Sequence, residues 1–413
     1  MRPKKHHRGT RRSAWLAVCV PALLACSVLA QPPQFNGRIE RIGPLRVLRV
    51  WGSPSEMGFA HGYLLGDEYL SGILGEHKSA SVESAAAYEQ MCAAARGIVE
   101  LPLPAREEID GIFAGIEAAH GGVPTVAGLN RPLRLEDLIL HNAGDMLRAF
   151  GCSGFTVWGE RAGEAGVITG RNFDFPITRE GLATQFVLVR HPTGRRRVAT
   201  VTFPGYIGAF TGVNDAGVCA FMHDGTGDRL SRPAGRQTPV ALVLKEMLEQ
   251  ASGAEAHTRT AALLTEIVPY PFSYLIRVVT PRRSDGNEPP ERVFRVDAGG
   301  LSENPIGRFA CITTNHYLDS ALAAPADADP WSLTRYEELS RRAGSILSAG
   351  EAWSALDAVA SANQRFPTLH ALVVFPERGR LELAFAGWED GVVPATRRPP
   401  VTIEFRDLFD RRE

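Results

Sequence analysis

The sequence predicts an α+β fold in which β-sheets pack between layers of helices. From about residue 53 to residue 150, apolar residues recur at helical spacing. From residue 151 the apolar period changes to two, the period of a strand with one buried face. Strands and helices then follow one another in runs with little regular βαβ alternation, which favours antiparallel sheets.

The helical part of the chain carries recognisable start and stop signals. In "SPSEMGFAHGYLLGDEYLSGIL", Ser53 is a candidate N-cap and Glu56 follows three residues later, as in a capping box. "LPAREEIDGIFAGIEAAHGG" has apolar residues at i, i+3 and i+4 and reaches Gly121, a typical helix C-terminus. Both segments are predicted to be amphipathic helices.

The part after residue 151 is predicted to consist mainly of hairpins. Three segments each contain two strand-like runs around a tight turn: "GFTVWGERAGEAGVITGRNFDF", "ATQFVLVRHPTGRRRVATVTFPG" and "IGAFTGVNDAGVCAFMH". Helices are predicted at about 239 to 250, 254 to 268 and 331 to 360. Further strands are predicted in "SYLIRVVTP", "ERVFRVDAG" and "RFACITTNHY", and a last hairpin in "TLHALVVFPERGRLELAFA".

Composition and charge indicate a globular protein without a nucleic-acid partner. The chain is 44% hydrophobic and 22% charged, with a formal net charge of -1. Cys92, Cys152, Cys219 and Cys311 follow the first forty residues and contain no C-x-x-C pair, so no metal site is predicted. The sequence leaves any disulfide pairing open.

The N-terminus predicts export from the cytoplasm. A basic run, "MRPKKHHRGTRR", precedes the apolar "SAWLAVCVPALLACSVLA", which is the layout of a secretory signal at residues 1–30 with cleavage after Ala30. Alternatively, "LLAC" is a lipoprotein signal in which Cys26 carries the lipid. No later apolar run is long enough to span a bilayer, so the mature protein is expected to be periplasmic, secreted or lipid-tethered.

Cys152, in "GCSGF" at 151–155, is the candidate nucleophile. A cysteine at the start of a strand is otherwise read as a small buried apolar residue. Ser153 lacks the G-x-S-x-G pattern, because Phe155 stands where the second glycine is needed. A Cys-His arrangement could use His316. Alternatively, cleavage between Gly151 and Cys152 would create an α-amine with a pKa of roughly 8, able to act as the general base.

Five motifs in order resemble the N-terminal nucleophile (Ntn) hydrolases: "GCSGF", "GRNFDF", "GVNDAGV", "ITTNHYL" and "SLTRYEEL". Within that class the chain is most similar to the acyl-coenzyme A:6-aminopenicillanic acid acyltransferase (isopenicillin N acyltransferase)-like family, with acid ceramidase and the bile salt hydrolases as more distant relatives. The resemblance implies a four-layer αββα sandwich. It also implies autocatalytic cleavage of a zymogen into a helical α chain, residues 31–151, and a β chain, residues 152–413, which remain associated.

The resemblance also implies a role for each of the candidate site residues. Cys152 would form a thioester with the acyl group, Arg171 would lower the pKa of its thiol and contact the substrate carbonyl, and Asp174 would hold the α-ammonium group. Residues three apart on a flat strand face opposite sides, so a bulge or twist is expected near Arg171 and Asp174. Asn214 would donate to the oxyanion, although its sequence is also good turn chemistry. Asn315 and Arg335 would support the nucleophile.

The sequence therefore predicts an exported, self-processing amide hydrolase or acyltransferase with an N-terminal cysteine, and with no metal and no organic cofactor. Its partner would be a small-molecule acyl amide or acyl donor. The alternatives are a Cys-His thiol hydrolase using His316, and a noncatalytic exported binding protein with the same fold. His223, His316 and His370 are otherwise expected to be core histidines.

Overall fold

The computed structural model describes residues 35–73, 85–146, 150–225, 230, 235–281, 288–344 and 348–410. The predicted signal at residues 1–30, with its expected cleavage after Ala30 and the alternative lipid site at Cys26, lies outside these ranges. Within the ranges, every helix is too short or too polar to cross a bilayer. Cys92, Cys152, Cys219 and Cys311 are buried free thiols.

The helices of the described residues are α1 (Pro54–Glu68), α2 (Ala85–Ile98), α3 (Leu103–His120), α4 (Leu135–Asn142), α5 (Arg179–Leu182), α6 (Val240–Gln250), α7 (Ala256–Thr265), α8 (Pro330–Ala343), α9 (Ala349–Ala358) and α10 (Phe405–Phe409). Helix α1 begins with the predicted capping box, in which Ser53 and Glu56 each accept the other's backbone N–H. Helix α3 ends, as predicted, at Gly121, whose φ of 67° is left-handed.

The strands of the described residues are β1 (Gly37–Ile42), β2 (Leu45–Gly52), β3 (Thr125–Val126), β4 (Arg131–Pro132), β5 (Gly151–Trp158), β6 (Val167–Asp174), β7 (Phe186–Pro192), β8 (Val198–Thr202), β9 (Thr211–Asn214), β10 (Cys219–Asp224), β11 (Tyr274–Val279), β12 (Glu291–Asp297), β13 (Gly300–Asn304), β14 (Ala310–Thr313), β15 (Thr368–Phe375), β16 (Arg380–Phe385), β17 (Gly387–Trp388), β18 (Val392–Val393) and β19 (Val401–Glu404). The predicted hairpins are present as β5–β6, β7–β8, β9–β10 and β15–β16.

Two large sheets form the centre of the fold. A nine-stranded sheet has the order β1-β2-β7-β8-β9-β10-β11-β12-β13, and a six-stranded sheet has the order β14-β5-β6-β15-β16-β19. Neighbouring strands in them are antiparallel, except that β2 and β7 run parallel. Strands β5 and β6, the second and third strands of the six-stranded sheet, form a hairpin whose second residue is the candidate nucleophile.

Three large hydrophobic clusters lie between four layers, and a fourth, smaller cluster packs α1 against β2 and β7. Side chains of both sheets, such as Val187, Phe221 and Leu372, share one core, so the sheets face each other. The opposite face of the nine-stranded sheet packs on α2, α3, α4, α6 and α7. The opposite face of the six-stranded sheet packs on α8 and α9 through Leu339 and Leu356. The predicted α+β fold with αββα layers is confirmed.

The segment 31–151, expected to be helical, also supplies strands. Strands β1 and β2 form a hairpin and join the nine-stranded sheet beside β7. Strand β2 is missed by period-two reading because Leu45, Val47, Leu48 and Val50 are all buried, with residues on both faces covered. A strand buried on both faces does not alternate between apolar and polar residues.

Helices α1 and α3 cross at very close range. At each of four glycines, a Cβ would lie 2.0 to 2.4 Å from a backbone carbonyl oxygen of the other helix. These are Gly58, Gly62, Gly111 and Gly115. The motifs "GFAHG" and "GIFAG" therefore set the distance between the two helices.

A buried ionic cluster joins α3 to the strand-bearing part of the chain. The Glu108 carboxylate lies 2.9 Å from Arg190 Nε on β7 and 3.0 Å from Lys245 Nζ on α6. Lys245 also pairs with Glu249 at 2.8 Å. All four side chains are almost completely buried, so the cluster connects residues before and after position 151 through the core.

Candidate active site

Cys152 is the second residue of β5, a strand between β14 and β6 in the six-stranded sheet. Every residue of β5 is buried, and Cys152 has no exposed surface. Its side chain belongs to the same core as Met222 and Phe173, on the side of the nine-stranded sheet. A nucleophile here is fixed by two strand neighbours and shielded from water.

The thiol of Cys152 is held by Arg171 and by a backbone carbonyl. Arg171 Nη2 lies 3.1 Å from Sγ, and Sγ lies 3.5 Å from the carbonyl oxygen of Met222 on β10. Arg171 Nη2 also donates to that carbonyl at 2.7 Å. Burial raises the pKa of the Cys152 thiol to about 12, although the Arg171 charge acts in the opposite direction. The thiol of the uncut chain is therefore protonated at neutral pH and needs a base.

The backbone nitrogen of Cys152 has a separate set of polar partners. Its N–H donates to Asn315 Oδ1 at 2.9 Å, and Arg335 Nη2 donates to the same oxygen at 2.7 Å. Asn315 Nδ2 donates to the backbone carbonyl of Asp224 at 2.7 Å, and its backbone N–H donates to Ser332 Oγ at 2.8 Å. Asn315 is thus oriented from both sides, with its carbonyl oxygen directed at the nitrogen of Cys152.

Asp174 reaches this nitrogen through Arg335. Arg335 Nη1 donates to Asp174 Oδ2 at 2.9 Å, and the hydroxyl of Thr368 donates to Oδ1 at 2.5 Å. Burial raises the pKa of Asp174, while the charge of Arg335 opposes that shift. In the uncut chain, Asn315 accepts the Cys152 N–H, Arg335 donates to Asn315, and Asp174 holds Arg335 in place.

Arg171 and Asp174 lie at opposite ends of the cysteine. Arg171 contacts the sulfur, and Asp174 contacts the arginine that supports the nitrogen side. The irregularity expected near this pair lies on the neighbouring strand β15, where the register with β6 shifts between Thr368 and His370. Two residues three apart on one strand can therefore both serve the site without facing the same way.

Asn214, the predicted oxyanion donor, has hydrogen-bond partners other than the residues around Cys152. Its Oδ1 accepts the backbone N–H groups of Ala216 and Val218, and its Nδ2 donates to the carbonyls of Leu248 and Ala251. Both amide N–H groups are used, so Asn214 shapes the β9–β10 turn and caps the end of α6. The turn chemistry of "VNDAG" accounts for this asparagine.

The three histidines of interest are buried and neutral. His316 Nδ1 lies 2.8 Å from the hydroxyl of Ser332, and His223 and His370 each contact one protein oxygen, at 3.1 and 2.9 Å. Burial lowers the pKa of all three. Among the described residues, the hydrogen bonds of the Cys152 sulfur join it to arginine and a backbone carbonyl, and not to a histidine.

The residue before the candidate nucleophile lies against two aromatic rings. A Cβ on Gly151 would lie 2.6 Å from the Trp331 ring and 2.9 Å from the Phe366 ring. Trp331 is near the start of α8, and its ring also stacks on the Arg335 guanidinium, with Cζ 3.5 Å from the ring centroid. A side chain at position 151 would therefore displace the rings beside the candidate scissile bond.

Sequence reasoning missed several residues that complete the site. Ser332 precedes Arg335 by three positions on α8, so helical spacing could have placed both on one face. Thr368 begins the last hairpin, and no sequence signal marks it as the partner of Asp174. Asp224 and Met222 contribute backbone carbonyls, which side-chain motifs do not reveal.

No family model and no curated protein matches this chain. Among solved structures, it is similar to an N-acylethanolamine-hydrolyzing acid amidase ortholog of Caenorhabditis elegans, at 15% identity, over 55% of this chain and 93% of that chain, with a TM-score of 0.40. It is also similar to a variant of the conjugated bile acid hydrolase from Clostridium perfringens, at 12% identity, over 57% of this chain and 89% of that chain, with a TM-score of 0.40. Penicillin V acylase from Agrobacterium tumefaciens is similar at 13% identity, over 62% of this chain and 88% of that chain, with a TM-score of 0.38.

Proposed function

We propose that this protein is a self-processing cysteine amidohydrolase of the Ntn type, in which Cys152 becomes the N-terminal residue. The proposal rests on the hydrogen bonds around the Cys152 nitrogen. A backbone N–H inside a sheet needs one acceptor, but this one meets an Asn315 carbonyl that Arg335 and Asp174 hold in place. Such a set of side chains suits a nitrogen that becomes a catalytic amine.

Processing would begin at the Gly151 carbonyl. The Cys152 sulfur attacks the carbonyl carbon, the bond from that carbon to the Cys152 nitrogen breaks, and the thiol proton ends on that nitrogen. Water then hydrolyses the resulting thioester, which frees the thiol and leaves a carboxylate on Gly151. The free α-amine, with a pKa of roughly 8, can next take the thiol proton.

Substrate turnover would repeat this chemistry on an external amide. The thiolate attacks the substrate carbonyl, the amine leaves with a proton supplied by the α-ammonium group, and water releases the acyl group as a carboxylic acid. Arg171 is the proposed oxyanion donor in place of Asn214. Its Nε and Nη1 are buried without a hydrogen-bond partner among the described residues, beside the attacking sulfur. A developing negative charge there would satisfy these donors.

We also propose that the acyl group is released to water rather than transferred to an amine, and that the protein is exported from the cytoplasm. Transfer needs an amine to outcompete water for the thioester, and a coenzyme A thioester would be scarce outside the cytoplasm. The basic and apolar leader of residues 1–30 supports export. N-terminal sequencing of the protein recovered from the producing cell distinguishes cleavage after Ala30 from lipidation at Cys26.

Electrophoresis and Edman sequencing of the purified protein test the processing step. We expect two fragments, the larger beginning Cys-Ser-Gly-Phe. Cys152→Ala should remain one chain and be inactive. Cys219→Ala, which removes an equally buried thiol on β10, should be cut and active.

A fully active protein that remains continuous through residue 151 would contradict the proposal and favour a Cys-His hydrolase. A folded, uncut protein without amidase activity would favour the binding-protein alternative.

A further inference from the structure

An aromatic slot lies beside the candidate nucleophile and is filled by the chain itself. The ring of Phe150 is 5.2 Å from that of Phe210, 5.9 Å from that of Phe173 and 6.2 Å from that of Tyr274, measured between centroids. Phe150 is only 3% exposed. It belongs to the same hydrophobic core as Cys152, and Phe173, one wall of the slot, is the β-ladder partner of Cys152, so the slot lies beside the candidate nucleophile. We call the space between Phe173, Phe210 and Tyr274 the Phe150 slot.

The slot is apolar, and its one hydroxyl is occupied. The Tyr274 hydroxyl donates to the backbone carbonyl of Asp145. The other two walls are phenylalanine rings. A polar group entering the slot would lose its hydrating water without finding a hydrogen-bond partner, whereas an apolar group would be stabilised by burial.

Between the slot and the sulfur, the chain passes through a narrow aromatic clamp. Gly151 lies against Trp331 and Phe366, whose ring centroids are 6.0 Å apart. A methyl group on the Gly151 Cα would approach both rings to less than 3 Å. The clamp therefore accepts a CH₂ group next to the carbonyl, whereas a branch on the side of the two rings would have to displace them.

The proposed processing reaction makes this geometry relevant to the substrate. In the N-to-S shift, the Gly151 carbonyl carbon becomes bonded to the Cys152 sulfur, so Phe150-Gly151 is the first acyl group that the thiol carries. A substrate acyl group is attached through the same kind of carbon to the same sulfur. The atoms beyond its carbonyl then meet the clamp and the slot in the order that Gly151 and Phe150 now occupy.

We propose, on the basis of the function proposed above, that the Phe150 slot is the acyl-binding pocket of the cut enzyme. Its preferred acyl group has an unbranched CH₂ next to the carbonyl, held between Trp331 and Phe366. An apolar tail with a broad end, such as a phenyl ring, fills the slot. The substrate class is therefore an amide of a linear, aryl-terminated or similarly broad apolar carboxylic acid.

Cleavage itself supplies a reason for Phe150 to leave. Hydrolysis of the Gly151 thioester creates a carboxylate among the rings of Trp331 and Phe366. A charge in such surroundings loses part of its hydration, and Arg335, the cation stacked on Trp331, is already paired with Asp174. Withdrawal of Phe150-Gly151 into water is therefore favoured. The emptied slot is then apolar surface that an acyl tail can cover.

Acylation of the cut enzyme with p-nitrophenyl esters tests the pocket. The probes are the phenylhexanoyl ester, which places its ring as far from the carbonyl as Phe150 is from Gly151, its α-methyl analogue and the acetyl ester. We expect the phenylhexanoyl ester to acylate Cys152 at least about tenfold faster than either of the others, as judged by the nitrophenolate burst. Mass analysis of the larger fragment identifies the acylated residue.

Variants separate the clamp from the slot. Trp331→Ala and Phe366→Ala should bring the α-methyl and unbranched rates towards equality, compared as a ratio because Trp331 also stacks on Arg335. Trp388→Ala removes an exposed ring elsewhere and should leave the ratio unchanged. Once cut, Phe150→Ala should show the selectivity of the parent, because Phe150 has left; Phe150→Leu replaces it if the alanine variant fails to fold or cut.

The outcomes distinguish the two proposals. If Cys152 is acylated but the three esters react equally, or if the cut Phe150→Ala or Phe150→Leu enzyme changes its selectivity, the pocket assignment is wrong and the proposed function stands. If no ester labels Cys152 in the cut protein, the proposed function is wrong as well.

Discussion

Asn315 and His316 are chain neighbours with different relations to Cys152. Asn315 accepts the Cys152 N–H, while His316 contacts the hydroxyl of Ser332. We expect His316→Ala to be cut and to keep at least about a tenth of the activity, because the α-amine is the base. Asn315→Ala should lose activity by about 10²-fold or more. A comparable loss in folded, cut His316→Ala, measured as kcat/KM, would assign the base to the histidine.

Asp174 has a structural role beside its proposed chemical one, because it is buried with Arg335. In a Cys152→Ala background, where processing cannot differ, Asp174→Ala should lower the free energy of unfolding by about 3 kcal/mol, since it leaves a buried guanidinium unpaired. The control is Glu303→Gln, which breaks the exposed pair with Arg292 and should cost within about 0 to 1 kcal/mol. Urea unfolding of both variants measures the difference; equal costs would contradict the burial argument.

Asp145 predicts a pH dependence of stability. Burial raises the pKa of Asp145 to about 7, although backbone N–H groups, first among them that of Ala241, oppose the shift. Its unfolded pKa is about 3.9, so the native state retains a proton that the unfolded state releases, and stability falls as pH rises between these values. Asp145→Asn should therefore be more stable relative to the parent at pH 8 than at pH 4. Melting temperatures that change in parallel over this range would contradict the prediction.

At the scale of elements, the crossing of α1 and α3 depends on missing side chains. Gly62→Ala places a Cβ 2.0 Å from the Ile112 carbonyl oxygen, so we expect the helices to separate and stability to fall by more than about 2 kcal/mol. Gly97→Ala on α2 is the matched control. It has no atom within 4 Å of the new Cβ and should be neutral or stabilise by about 0.5 to 1 kcal/mol. Thermal unfolding compares the two variants, and similar effects would contradict the packing argument.

Elements with strong local signals could be predicted from the sequence. The capping box at Ser53, the stop at Gly121 and the β5–β6 hairpin all follow from neighbouring residues, and the structure has each of them. Strand β2 could not be predicted, because its two buried faces remove the alternation that marks a strand. Its place beside β7 is a pairing between distant segments that no local pattern encodes.

The candidate site was predictable where motifs supply side chains and not where they supply geometry. The structure brings together Cys152, Arg171, Asp174, Asn315 and Arg335. Asn214 is found in a turn, because an Asn-Asp-Ala-Gly segment satisfies its own backbone whether or not it serves a site. The order in which Asp174, Arg335 and Asn315 connect is a tertiary property that spacing does not reveal.

At the scale of the whole molecule, Glu108 links the two proposed fragments. Burial alone would raise the pKa of Glu108, but Lys245 and Arg190 outweigh it and lower that pKa. A lowered carboxyl pKa gives stability above the unfolded value, about 4.3, which is lost as pH falls through the folded value. The association should weaken below about pH 4.

Replacing Glu108 should weaken the same association at neutral pH. In the cut protein, Glu108→Gln leaves Arg190 and Lys245 buried without this carboxylate, so the fragments should separate at lower urea concentration, with a loss of about 3 kcal/mol. Asp110→Asn, on the exposed face of α3, should behave as the parent does. Size-exclusion chromatography in urea measures separation, and indistinguishable profiles would contradict the assignment.

The parallel pairing of β2 with β7 gives the proposed cut a lasting consequence. Strand β2 lies before residue 151 and β7 after it, so the nine-stranded sheet is completed by residues from both sides. While the chain is continuous, the loop between them holds the partners at a high effective concentration and assembly is a first-order event. After cleavage the same sheet could re-form only by a second-order encounter of two chains, at a rate set by their concentration. The cut molecule would thus keep a structure that only its precursor assembles efficiently, and once unfolded in dilute solution it would refold slowly or not at all.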